Sequence, residues 1–193
     1  METTSWTLKR LDAETRSLHA EADERWLSLL RPNVKLGEYV TQLERGYGFV
    51  APYEAALAYV PGLALHPRSR TTLLVRDLLS LGRSPNQIAT LPMCLDIDLA
   101  CPIEALGWIY VVERSALVHA GLLRHLRQRL PIANACAYLT ADEYPFGPAW
   151  ADLGRAFDAA NALEKIVAGA RQAFAVQRHW FAGDADLDEV SYG

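Results

Sequence analysis

Thr15, His19 and Asp23 recur at every fourth residue, so a helix through them carries all three on one face. That face borders an apolar stripe of Leu8, Leu11, Leu18 and Ala22. A neutral imidazole at the edge of a buried groove is a natural iron ligand through one ring nitrogen. The other nitrogen then needs a partner that fixes the tautomer, and Asp23 or Thr15 is placed to supply it. The competing reading is a hydrogen-bonded core histidine, which is the commoner fate of such a residue. A second group lies in the apolar run Tyr110-Val-Val-Glu113-Arg114-Ser115-Ala-Leu-Val118-His119. Glu113 and Ser115 are close enough to organise a water, although a glutamate there can equally reach solvent. His119 by itself reads as an ordinary core or solvent-facing histidine.

The elements that must hold these groups are helices, because apolar residues recur with helical spacing and strand-like alternation is nearly missing. Leu8, Leu11, Leu18, Ala22, Trp26 and Leu29 predict a first amphipathic helix that stops at Arg31-Pro32. A second is predicted over about 36–59, with Gly46-Tyr47-Gly48 marking a bend or a close helix contact. A third covers about 69–81 and stops at Gly82. Residues 84–101 read as a loop with a short helical turn. Pro102 suits the first position of one long central helix that Pro131 closes, with Glu104 complementing its positive end. A short piece follows at about 133–139, then a loop over 142–148. Residues 149–181 read as one broken helix or two packed ones, and the acidic segment 184–193 reads as a loose tail. The expectation is one all-α domain over 1–193, a bundle of about six to eight helices.

Bulk properties narrow the class. With 51% hydrophobic and 22% charged residues, this is the composition of a globule with one sizeable core. The net charge of -4 argues against nucleic acid or an anionic membrane as the main partner. Glu113 and Arg114 interrupt the longest apolar run before it reaches membrane-spanning length. Cys94, Cys101 and Cys136 show no C-x-x-C spacing, which suits buried thiols in a reducing cytoplasm. Trp108, Tyr110 and Trp150 read as core packing. The basic run Arg124-His125-Leu-Arg127-Gln-Arg129 reads as compensation of a helix C-terminus, and as a docking patch for an acidic redox protein on the sharper reading.

Several separated segments together resemble the small bacterial haem oxygenases associated with phytochromes. The opening segment from Leu11 to Asp23 is similar to their first helix, with Thr and His four apart and an acidic residue four further on. Asp77-Leu-Leu-Ser-Leu-Gly82 is similar to a D-L-x-x-L-G stretch, and the Tyr110 run to their Y-V-L-E-G-S-T-L-G-G. Gly169-Ala-Arg171-Gln-Ala-Phe174, with Trp180 beyond, is similar to their final helix. The pieces span nearly the whole chain in order.

The resemblance implies a haem-oxygenase fold and oxidative cleavage of haem to biliverdin, carbon monoxide and iron. Haem serves as both substrate and cofactor, with oxygen and electrons from a reductase, ferredoxin or ascorbate, and possible delivery of the product to a phytochrome. By the same resemblance His19 is the iron ligand, and Thr15, Arg16, Asp23, Arg114, Val118, His119 and Arg171 line the haem. Arg16 and Arg171 suit its propionates, and Glu113 and Ser115 take the catalytic positions. The chain departs from the family pattern where Arg114, Val118 and His119 replace glycines that let the backbone approach haem and oxygen. The departure leaves three arrangements open: a displaced helix with a wider pocket, a bis-histidine iron between His19 and His119, or a filled cleft. The alternative function is a non-catalytic haem- or tetrapyrrole-binding protein on the same fold. Thiamin-degrading enzymes and two-iron oxidases share that fold too. Cys136 has no supporting signature for the first, and no E-x-x-H spacing supports the second.

Overall fold

The computed structural model describes residues 5–63, 65, 67–141 and 148–183, with the side chains at 148 and 149 left aside. Of the expected loop over 142–148, residues 142–147 lie outside the described residues, as does the tail at 184–193, while Pro148 begins a helix. Every regular element among the described residues is helical, which bears out the all-α expectation. None of these helices is long and apolar enough to cross a membrane.

Helix α1 spans Trp6–Leu27 and ends in a 3-10 turn, Ser28–Leu30, just before Arg31-Pro32. Ser5 caps it by accepting the Leu8 N–H at 3.2 Å. The Ser5 and Thr7 hydroxyls both donate to Asp158 at 2.7 Å, which ties the start of α1 to a distant helix. Helix α2 spans Leu36–Ala58. Its Gly48 is a close-contact glycine rather than a bend. A Cβ there would fall 2.3 Å from the Pro92 carbonyl oxygen, and the Gly48 carbonyl accepts the Cys94 N–H at 2.8 Å.

Helix α3, Thr71–Ser80, closes as its sequence predicts. Gly82 takes φ +88°, and the Arg83 N–H reaches back to the Leu78 carbonyl in a Schellman arrangement. The short helix α4, Pro85–Ala89, opens with a Ser84/Gln87 capping box.

The central segment is not the single helix expected. Helix α5 runs Pro102–Ser115, a 3-10 turn occupies Ala116–Val118, and α6 covers His119–Arg127. Ser115 marks the break: its hydroxyl donates to the Val112 carbonyl at 2.7 Å, a local bond of the kind that disturbs helical continuity. From Ala105 to Ser115 every residue of α5 is buried, so this helix is the axle of the bundle. Helix α7, Ala137–Thr140, is held by the buried Asp77 carboxylate, which accepts the Ala137 and Tyr138 N–H groups at 2.8 Å each. Helices α8, Pro148–Ala160, and α9, Leu163–Ala182, are separate, with Asn161 at φ 45° between them.

Helix α9 presses directly on α5. A Cβ on Gly107 would sit 2.2 Å from the Ile166 carbonyl oxygen, and one on Gly169 would sit 2.2 Å from that of Glu104. Only two glycines permit backbone-to-backbone contact at that spacing.

Candidate functional site

The inner face of α1 meets α5 and α6 along a seam of three side-chain contacts in ascending order on both sides. They are His19 with Tyr110, Asp23 with Arg114, and Trp26 with His119. The helical repeat explains the first two: residues four apart on each helix share a face, so two such helices running the same way zip together.

At the first contact, His19 Nε2 lies 3.1 Å from Thr15 Oγ1 and 3.4 Å from the Tyr110 hydroxyl. The Thr15 hydroxyl already donates to the Leu11 carbonyl at 2.9 Å, and the Tyr110 hydroxyl donates to Asp12 Oδ1 at 3.2 Å. With both hydrogens committed, Nε2 must be the donor, so the imidazole carries its proton there and keeps its lone pair on Nδ1. Burial holds the His19 pKa below its ordinary value, reinforced by the Arg114 cation and opposed by Asp12 and Asp23. The ring is therefore neutral at pH 7. Phe174 of α9 covers it with ring centroids 5.7 Å apart.

At the second contact the Arg114 guanidinium bonds both Asp23 oxygens, at 2.9 and 2.8 Å, with both side chains buried. Asp23 is thus held by arginine, and Thr15 rather than Asp23 orients His19. At the third contact His119 is fully enclosed. Its ring packs 5.6 Å from that of Trp26 and 4.9 Å from that of Tyr138, and among the described residues neither nitrogen has a hydrogen-bond partner. Burial lowers its pKa to about 3.

The remaining candidate residues are dispersed. Glu113 points away from the seam and accepts from Arg70, the residue that precedes α3, at 2.8 Å. Ser115 lines a crevice with Trp26, Gly46, Val112, Tyr138 and Gln177 whose free volume is about 10 Å³, room for one water. Val118 is half-buried in the 3-10 turn. Arg16 and Arg171 are exposed on α1 and α9, in loose ion pairs with Asp12 at 3.6 Å and Glu14 at 3.7 Å. All three cysteines are free thiols, two of them buried.

Tyr110, Asp12, Trp26 and Phe174 belong to this site, although nothing in the sequence reading gave them a role in it. Tyr110 had a usable signal, since it stands four residues before Arg114 just as His19 stands four before Asp23.

Haem, which the resemblance implies, fits one side of this site and not the other. On α1 and α9 a neutral imidazole and two exposed guanidiniums suit an iron porphyrin dicarboxylate. On α5 the Tyr110 hydroxyl and the Arg114 guanidinium fill the seam against His19 and Asp23, and His119 is enclosed against Trp26 and Tyr138. Among the described residues no group of three or more His, Cys, Asp or Glu is clustered as a metal site.

No family model, curated protein or solved structure matches the chain.

Proposed function

We propose that this chain is a haem-binding protein of the haem-oxygenase type that holds the pigment through His19 without cleaving it. What supports binding is the ordered resemblance of four separated segments, together with a neutral imidazole on α1 and exposed arginines, Arg16 and Arg171, on α1 and α9. The single observation that favours holding over cleaving is the Asp23–Arg114 pair. It occupies the α5 side at the first glycine-equivalent position, where an oxygenase needs open space for oxygen and water. Glu113 and Ser115, the expected catalytic pair, are engaged by Arg70 and by the Val112 carbonyl. On this reading binding is coupled to opening: the Tyr110 hydroxyl and the Arg114 guanidinium leave the seam, and His19 gives up its bond to Thr15.

The test is a haemin titration followed by optical spectroscopy. Wild type should give an iron–histidine band that His19→Ala loses, and the band should persist when ascorbate is added under air. Conversion to biliverdin would establish the oxygenase reading instead. If neither wild type nor Arg114→Gly yields any haem band, both haem readings are wrong.

A further inference from the structure

One end of the molecule carries positive charge with no carboxylate partner among the described residues. From Ser115 to Ala141 the sequence contains no aspartate or glutamate, yet it contains Arg124, His125, Arg127 and Arg129. The three arginines are exposed. Arg127 donates to Cys136 Sγ at 3.2 Å and Arg129 to the His125 carbonyl and Gln128, but none of the three pairs with a carboxylate among the described residues. The Nε2 of His125 lies 3.1 Å from the Arg31 carbonyl oxygen, which joins this end of α6 to the turn after α1. Around that turn Leu27, Leu30 and Leu36 are exposed. Exposed apolar side chains near a group of arginines have the composition of a protein-binding surface.

The chain supplies a matching partner. Helix α9 runs alongside α1 in the same direction, with Arg171 against Glu14 and Arg178 against Glu21. Its last turn is fastened where Arg45 donates to the Phe181 carbonyl at 2.9 Å, and α9 ends level with the end of α1. Beyond Gly183 the sequence reads Asp184-Ala-Asp186-Leu187-Asp188-Glu189-Val190, four carboxylates interleaved with apolar residues and no cation. Segment 184–193 is long enough to reach about 33 Å when extended, ample to pass the end of α1 and meet α6.

We infer that segment 184–193 docks on its own chain, its carboxylates on Arg124, Arg127 and Arg129 and its Leu187 and Val190 on Leu27, Leu30 and Leu36. Opposite charges matched over a partly apolar surface fix register more than strength, so the contact is salt-sensitive and displaceable. It occupies a surface apart from the His19 seam and stands whether or not haem binds.

The probe is a fluorescent peptide of sequence 183–193, added in trans to the full chain and read by anisotropy at low salt. Wild type should bind it roughly tenfold more weakly than the full chain carrying Asp184→Asn, Asp186→Asn, Asp188→Asn and Glu189→Gln, because only wild type brings a competing segment. Adding Arg124→Glu, Arg127→Glu and Arg129→Glu to that acceptor should abolish binding, as should 0.5 M salt to roughly the same extent. Circular dichroism confirms that each variant is folded. Equal binding by wild type and the neutralised chain overturns the inference, as does binding that survives loss of the arginines. A dimer that the neutralised chain fails to form places the segment on a second copy and overturns docking within one chain.

Discussion

Arg114 and Asp23 hold each other through two parallel hydrogen bonds of 2.9 and 2.8 Å inside the seam between α1 and α5. Arg114, which departs from the pattern the chain resembles, is therefore matched to Asp23, which fits that resemblance. A buried pair contributes little relative to apolar filling, but losing one partner strands the other charge. Arg114→Met should destabilise the fold by about 3–5 kcal/mol in urea unfolding. Adding Asp23→Leu should restore most of that loss, since both charges are then gone. A single-variant cost of under about 1 kcal/mol would show the pair to be solvated rather than buried.

The Gly107–Gly169 contact makes a sharper packing prediction. Gly107→Ala places a methyl 2.2 Å from a backbone oxygen, which no side-chain rotation relieves. The helices must part, at a cost of about 3 kcal/mol. Gly121→Ala is the control, because nothing lies within 4 Å of its added carbon. That exposed helical position should gain roughly 0.5–1 kcal/mol. Equal responses at the two sites in thermal unfolding would contradict the direct α5–α9 contact.

His119 predicts an acid sensitivity of definite sign. Its folded pKa of about 3 lies below the ordinary imidazole value because burial opposes the charged ring. Between roughly pH 6.5 and that value the unfolded chain binds a proton that the folded chain refuses. Stability from this group is complete above pH 6.5 and falls as the pH drops, by up to about 1.4 kcal/mol per pH unit. His119→Phe keeps an aromatic ring between Trp26 and Tyr138 without a titrating nitrogen. Its unfolding free energy, measured from pH 7 to pH 4, should fall less steeply than that of wild type. Parallel slopes would mean that His119 takes up its proton without unfolding the chain.

Much of the fold was legible because it rests on local signals. Pro102 begins α5, Gly82 ends α3, and the four-residue spacing of Thr15, His19 and Asp23 sets them on one face. The break after Ser115 was not legible, since no proline or glycine stands at the 3-10 turn Ala116–Val118 to signal it. The partners of Glu113 and Arg114 were equally hidden. Neighbouring helical residues point about 100° apart, so one meets α1 and the other Arg70, and only the packing of distant elements decides which. Tyr110 has the type of a core residue and the burial of one; its hydroxyl acquires a role only when α1 brings Asp12, Thr15 and His19 against it.

The proton on His19 gives the last prediction and the most direct probe of the seam. With the hydroxyl hydrogens of Thr15 and Tyr110 spent on Leu11 and Asp12, the ligand-free imidazole should be the Nε2–H tautomer, readable from its nitrogen chemical shifts. Arg114 is the second cause of the lowered His19 pKa, after burial. Arg114→Met removes that cation while leaving the Asp12 and Asp23 carboxylates, so the pKa should rise toward the ordinary value. Tyr110→Phe removes one acceptor from Nε2 and should leave the tautomer to Thr15 alone, weakening the preference without reversing it. An imidazole protonated at Nδ1 in ligand-free wild type would mean that the Thr15 or Tyr110 hydroxyl points the other way. The lone pair of Nε2 would then accept from that hydroxyl.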